Sequence, residues 1–288
     1  MNACEDTFLK MKFSLNCHGR LVDLSTPAIM AIVNLTPDSF FDGGKFTNEI
    51  ALLERVEFLL KNGAKILDIG GQSTRPGSEI ITEMEEWNRI NSAITVILKE
   101  FPETILSIDT FYSSVARKAA DLGASIINDI SGGSMDDKMF TTMAELKLPY
   151  VLMHIPGTPE TMHKIPEYGN VVLDVWNSFD HKVAQLKSLG VTQIILDPGF
   201  GFGKTVEQNY SLLKNLHAFS NFNLPVLAGL SRKSMINKVL KIDSTKALNG
   251  TSVLNTIALL NKASILRVHD VIEAREVITL VEQYGKAQ

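Results

Sequence analysis

Short apolar runs that close on a polar residue recur along the chain, at 28–34, 66–68, 105–109, 126–128, 151–154, 194–197 and 265–269, ending on Asn34, Asp68, Asp109, Asn128, His154, Asp197 and His269. Most give way to a Gly-rich or helical stretch. A strand with one wet face alternates apolar and polar residues, whereas a parallel strand covered on both faces is apolar throughout. These runs are continuous and predict parallel strands. The closing polar residues then fall at the C-terminal ends of the strands, where the loops of a (β/α)8 TIM barrel meet in one mouth. Strands are placed near 28–34, 65–70, 104–109, 124–128, 149–153, 192–197, 224–230 and 263–268.

Between them the apolar spacing turns helical, over 49–62, 82–100, 113–122, 170–189, 244–261 and 271–284. Gly63, Gly123 and Gly190 stand where a glycine ends a helix before the next strand. Ahead of the barrel, 11–25 reads as a hairpin. Phe13, Leu15 and Cys17 alternate, His18-Gly19 turns, and Leu21, Val22 and Leu24 return, a unit suited to capping the barrel bottom. The expected architecture is α/β, a (β/α)8 barrel over about 28–285 with that hairpin, in one domain spanning 1–288. Two connections on the strand-exit side, 35–47 and 70–82, are longer than folding requires, and long loops there carry function.

Composition narrows the classes. The chain has 288 residues and 45% hydrophobic content, enough for one large core. No run reaches the roughly 18 apolar residues of a membrane span, and the first twelve residues, with Glu5 and Asp6, lack the apolar segment of a signal peptide. A cytoplasmic address with no membrane partner is expected. The net charge of −4 argues against a general nucleic-acid surface. Cys4 and Cys17 lack a metal-ligand spacing, as do His154 and His163.

Asp109, Asn128 and Asp197 each close a different strand. Two carboxylates and an amide in one pocket suit a flat heterocycle bearing an amino group and ring N–H groups, although each residue taken singly also fits a cap or a loop contact. The glycines of the segment 197–204, Asp-Pro-Gly-Phe-Gly-Phe-Gly-Lys, match neither a P-loop nor a dinucleotide fingerprint. They suit close approach of backbone to a flat ring, with Phe200 and Phe202 as shields or as core. A second set is basic: Arg75, Lys233, and Arg267 with His269 at the end of the last strand. Loops after the seventh and eighth strands of barrels commonly take phosphate, so a pyrophosphate is a natural guest. Asn34 offers a neutral oxygen that could ligate Mg²⁺ beside phosphate oxygens, or could simply cap.

Taken in order, these residues resemble the dihydropteroate synthase family. The likeness runs from about 28 to 285. It is carried by Asn34-Leu-Thr-Pro-Asp-Ser-Phe-Phe-Asp-Gly-Gly44, Asp68-Ile-Gly-Gly-Gln-Ser-Thr-Arg-Pro-Gly77, Ser107-Ile-Asp-Thr110, Asn128-Asp129, Met153-His154, the 197–204 segment, Gly229-Leu-Ser-Arg-Lys-Ser234 and Arg267-Val-His-Asp270. The resemblance implies condensation of 6-hydroxymethyl-7,8-dihydropterin diphosphate with 4-aminobenzoate, in folate biosynthesis, by a dissociative displacement. It implies catalytic roles for Asp109, Asp197, Lys233 and Arg75, and pterin contacts from Asn128, Met153, Phe202 and Gly229. It also implies Mg²⁺ on Asn34, diphosphate contacts from Thr74, Arg267 and His269, an aminobenzoate site lined by Phe40, Asp42, Pro76 and Ser234, sulfonamide mimicry of aminobenzoate, and a homodimer. Gln72 departs from the family's usual Glu and Phe41 from its common Ser, which predicts altered loop order or inhibitor fit. The rival readings are a corrinoid-dependent methyltransferase using methyltetrahydrofolate, which would leave Arg75, Arg267 and His269 without a purpose, and a non-catalytic pterin-binding paralogue.

Overall fold

The computed structural model describes residues 13–35, 44–72, 79–157 and 168–287. Its elements, in chain order, are β1 (Ser14–Cys17), β2 (Arg20–Asp23), β3 (Ala28–Asn34), α1 (Gly44–Lys61), β4 (Ile66–Gly70), α2 (Glu83–Glu100), β5 (Ile105–Asp109), α3 (Ser113–Asp121), β6 (Ile126–Asp129), α4 (Met139–Leu146), β7 (Tyr150–Met153), α5 (Val171–Ser188), β8 (Ile194–Asp197), α6 (Val206–Lys214), β9 (Leu227–Ala228), α7 (Ser234–Leu240), α8 (Leu248–Leu260), β10 (Ile265–Val268) and α9 (Val271–Lys286). The parallel strands are hydrogen-bonded in the order β8-β7-β6-β5-β4-β3-β10-β9. A bridge between Leu196 and Val226 brings β8 back beside the β9 end, and the Leu196 N–H donates to Pro225 O at 2.9 Å. The sheet is therefore closed into the expected barrel.

Side chains alternate in and out along a strand, and the barrel sorts them accordingly. Outward residues such as Ile29, Ala31, Val33, Leu67, Ile69, Leu106 and Ile108 pack with the helices in the large outer core. Inward residues near the strand starts, among them Met30, Ile66, Ile105, Ile126, Val151, Ile195, Leu227 and Ile265, join Leu15, Cys17, Val22 and Leu24 of the hairpin in a second cluster. The hairpin thus plugs the bottom. His18 and Gly19, at φ 52° and 82°, make its tight turn with the left-handed backbone that matches strand twist.

Some boundaries differ from the expected ones. The seventh barrel strand contracts from 224–230 to Leu227–Ala228, and 244–261 divides into a 3-10 turn, Ser244–Lys246, and α8. Helix α1 starts at Gly44, inside the expected first loop. Helices α4, α6 and α7, of 8, 9 and 7 residues, are not among those expected from sequence. No helix among the described residues is long and apolar enough to cross a membrane.

Candidate active site

One step of two residues beyond the apolar inner layer, five of the eight barrel strands turn polar. Ile66 is followed by Asp68, Ile105 by Ser107, Ile126 by Asn128, Ile195 by Asp197 and Ile265 by Arg267, while Ile32, Met153 and Gly229 take the corresponding places on β3, β7 and β9. The same period-2 alternation that fills the bottom with hydrocarbon therefore lines the mouth with polar groups.

At the centre lies Arg267, whose Nε donates to Asp68 Oδ2 at 2.6 Å and whose Nη2 donates to Asp109 Oδ2 at 2.7 Å. Asn128 Nδ2 donates to the same Asp68 oxygen at 2.9 Å. Three strands, β10, β4 and β6, are tied across the barrel through one fully buried carboxylate. Asp68 Oδ1 and the Ser107 hydroxyl, opposite each other in the β4–β5 register, are buried without a hydrogen-bond partner. The floor of the mouth thus retains polar capacity for water or ligand.

Opposite this knot stand Asp197 and Lys233. Asp197 Oδ1 accepts from the Gly199 N–H at 2.8 Å. Lys233 Nζ donates to Phe200 O and sits 4.6 Å from the centroid of the Phe202 ring. A Cβ placed on Gly229 would lie 3.7 Å from Lys233 Nζ and 3.9 Å from Asp197 Oδ2, so this glycine sits beside both charges without filling the space near them. Lys204 holds the connecting loop from behind, donating to Gly199 O at 2.9 Å, Phe202 O at 3.1 Å and His154 O at 3.3 Å. The loop needs Gly199, which has φ 69° and would bring a Cβ within 2.0 Å of His154 O.

The electrostatics follow from burial. Asp109 is pushed up to about 7 by burial, with the Arg267 cation opposing and Asp68, Asp129 and Asp197 adding repulsion. Burial also raises Asp197, against the pull of Lys233. Lys233 is lowered to about 8 by burial, with Asp197 opposing, while Arg267, despite burial, is held more firmly charged by Asp68 and Asp109. Carboxylates able to accept N–H groups thus stand beside the cations of Arg267 and Lys233 in one mouth, an arrangement able to hold a flat heterocycle and stabilise charge on it.

At the rim, His269 Nδ1 lies 2.9 Å from Ser231 Oγ, and Arg232 grips Asp270 through Nε at 2.9 Å and Nη2 at 2.6 Å. Asn34 is exposed at the end of β3, and Ser234 is exposed at the start of α7. Met153 packs with Phe111, Ile130 and Ile155, with Phe202 against them. Phe200, by contrast, is fully buried in the outer core, so of the two phenylalanines read as shields only Phe202 reaches the mouth. Thr74, Arg75, Pro76, Phe40, Phe41 and Asp42 lie outside the described residues.

The residues brought together therefore include Asp109, Asn128, Asp197, Gly229, Lys233 and Arg267. Arg267, expected on the diphosphate side, has its guanidinium between the two carboxylates of the heterocycle end. Asp68 was read from sequence only as a strand end and part of a motif, and Asp68, Ser231 and Lys204 were given no site role there. The inward period from Ile66 to Asp68 was the available signal for Asp68; Ser231 and Lys204 depend on contacts that no local pattern records.

The pattern of the pterin binding enzyme family matches residues 30–269. The chain is 41% identical over 237 residues to the dihydropteroate synthase of Escherichia coli (strain K12), spanning 82% of this chain and 83% of that one. Its fold superposes on Xanthomonas albilineans dihydropteroate synthase with 4-aminobenzoic acid at a TM-score of 0.89 and 35% identity, covering 96% of this chain and all of that one. It also matches the enzyme from that organism in complex with 7,8-dihydropteroate, at a TM-score of 0.85, 33% identity and 96% coverage of this chain.

Proposed function

Because this chain belongs to the dihydropteroate synthase family, we propose that its barrel mouth joins 6-hydroxymethyl-7,8-dihydropterin diphosphate to 4-aminobenzoate, releasing pyrophosphate and 7,8-dihydropteroate. The observation that carries this reading is the convergence of Asp109, Asn128 and Asp197 with Lys233 and Arg267 in one polar layer above an apolar plug.

Carboxylates at Asp109 and Asp197 accept the pterin's amino and ring N–H groups, and Asn128 adds a neutral amide. The aniline nitrogen of 4-aminobenzoate already has its lone pair free at neutral pH, so proton abstraction is not the obstacle. The obstacle is the leaving group. The bond from the pterin methylene carbon to oxygen breaks, and its electron pair departs with pyrophosphate, stabilised by Arg75 and His269 with Arg267 nearby. The electron-rich dihydropterin shares the positive charge left on carbon, and Asp109 and Asp197 favour that charge electrostatically. The aniline nitrogen then bonds to the carbon and loses its proton. Phe40, Asp42, Pro76 and Ser234 flank 4-aminobenzoate in this reading, and Thr74 joins the diphosphate contacts.

The donor set fits Mg²⁺. Asn34 contributes one hard amide oxygen at the rim, and among the described residues no cluster of three His, Cys, Asp or Glu stands ready to cage a metal. An ion here would draw its remaining oxygens from phosphate and water, the usual Mg²⁺ habit. When bound, it neutralises charge on the diphosphate. A homodimer suits the exposed apolar side chains of α7, α8 and α9, namely Val239, Leu240, Val253, Leu280 and Tyr284.

The test is pyrophosphate release that requires both substrates and Mg²⁺, with mass detection of dihydropteroate. Asp197→Asn should lower kcat/KM for the pterin substrate by about 100-fold, the scale of losing one charged contact to a developing cation; full retention would remove Asp197 from the mechanism. Tight pterin binding without release would favour the non-catalytic reading. Sedimentation at micromolar concentration checks the dimer.

A further inference from the structure

The loops after β9 and β10 are stitched together at two adjacent places. Arg232, with φ 57°, turns the backbone so that its side chain grips Asp270 while its own N–H donates to Thr251 Oγ1 at 3.0 Å. Next to it, Ser231 is buried, with Oγ 3.3 Å from the His269 backbone N and 2.9 Å from His269 Nδ1. Arg55 Nη2 donates to His269 O at 3.3 Å, fixing the same residue from the α1 side.

These contacts bear on which ring nitrogen carries the proton. A backbone N–H can only donate, so Ser231 Oγ accepts from it. The hydroxyl then has one hydrogen left to place, and Nδ1 is the acceptor beside it. If Nδ1 were itself protonated, the buried hydroxyl hydrogen would be left without an acceptor. A neutral imidazole has a single N–H, which must therefore be on Nε2.

We propose that Ser231 is a positioning residue that holds His269 in the Nε2–H tautomer, making the ring a directed, uncharged donor to the diphosphate. The inference rests on reading this rim as the diphosphate site. The surroundings agree with a neutral ring. Burial first, then the cations of Arg267, Arg232 and Arg55, with only Asp270 opposing, push His269 down to about 4. Arg267 supplies fixed charge nearby, while His269 adds direction without a further cation to retain the product.

The experiment is nitrogen NMR on the full chain with ¹⁵N-labelled histidine. His269 is identified among the six histidines as the signal lost in His269→Gln. A protonated Nε2 with a bare, hydrogen-bonded Nδ1 is expected; a proton on Nδ1 in the unmodified chain overturns the proposal outright, whether or not Ser231→Ala folds. Ser231→Ala should mix the tautomers and weaken binding of inorganic pyrophosphate about tenfold, while Ser231→Thr restores both. Unchanged tautomer and affinity in Ser231→Ala would also overturn it. Failure of the synthase reading shows separately, as absence of dihydropteroate from both substrates, because the ring signal is read without either.

Discussion

Arg267 binds two carboxylates that belong to different strands, and Asp68 binds two donors that belong to different strands, so neither can be removed singly without stranding a charge. Breaking a buried pair from one side typically costs about 3–5 kcal/mol. Asp68→Ala is expected to lower stability by that amount in urea unfolding and to weaken pterin binding, because Arg267 and Asn128 both lose their anchor. Glu86 provides a pH-dependent counterpart. It is buried on α2, accepts from Thr110 Oγ1 at 2.6 Å, and is raised to about 8 by burial, with Asp109 and Asp129 adding to the rise and Thr110 and Arg89 opposing it. The folded state holds this proton more tightly than the unfolded chain does. Its contribution is complete below the ordinary Glu value and is lost as pH rises to about 8. Glu86→Gln should therefore gain stability relative to the parent between pH 5 and pH 9, read as a widening difference in urea midpoint. A constant difference would show that the carboxyl does not ionise in this range.

At the scale of elements, the second long loop is closed at its base by one side chain. Gln72 Nε2 donates to Glu79 O and its Oε1 accepts from the Ile81 N–H, each at 3.0 Å, while Tyr112 Oη donates to Ile81 O at 2.8 Å. An amide can donate and accept at once, so the departure from the family's usual Glu gives a clasp that needs no proton uptake. Gln72→Leu should speed hydrogen exchange at the Ile81 amide and raise the KM for 4-aminobenzoate several-fold, with a smaller change in kcat; unaltered exchange would dissociate Gln72 from loop order. The loop after β8 is set instead by backbone. Gly199→Ala would drive a methyl into His154 O and strain a left-handed residue, with an expected loss of about 2–4 kcal/mol in urea unfolding and of pterin binding through displaced Asp197.

Across the whole molecule, stability and chemistry sit at opposite ends of one barrel. The hairpin seals the bottom with Leu15, Cys17, Val22 and Leu24, and two residues further along a polar residue follows on five of the eight strands. Leu15→Ala should cost about 2–5 kcal/mol, measured by urea unfolding, with kcat/KM of the folded protein unchanged. A parallel loss of kcat/KM would mean that the plug also shapes the mouth.

The sequence alone determined the barrel and the polar ends of several of its strands, because burial on both faces and alternation along a strand are properties of neighbouring residues. Continuous apolar runs with polar ends could be read one strand at a time, as could Asp109, Asn128 and Asp197. What a side chain 199 residues away would do was not local: only closure of the barrel brings Arg267 onto Asp68 and makes that carboxylate the centre of the site. The same holds for Phe200, which the curve of its loop turns into the core while Phe202 faces Lys233. Short helices such as α7 have too few turns to show a period, and they form where tertiary packing covers one face. Local pattern fixed the positions on each strand, and three-dimensional packing decided their partners.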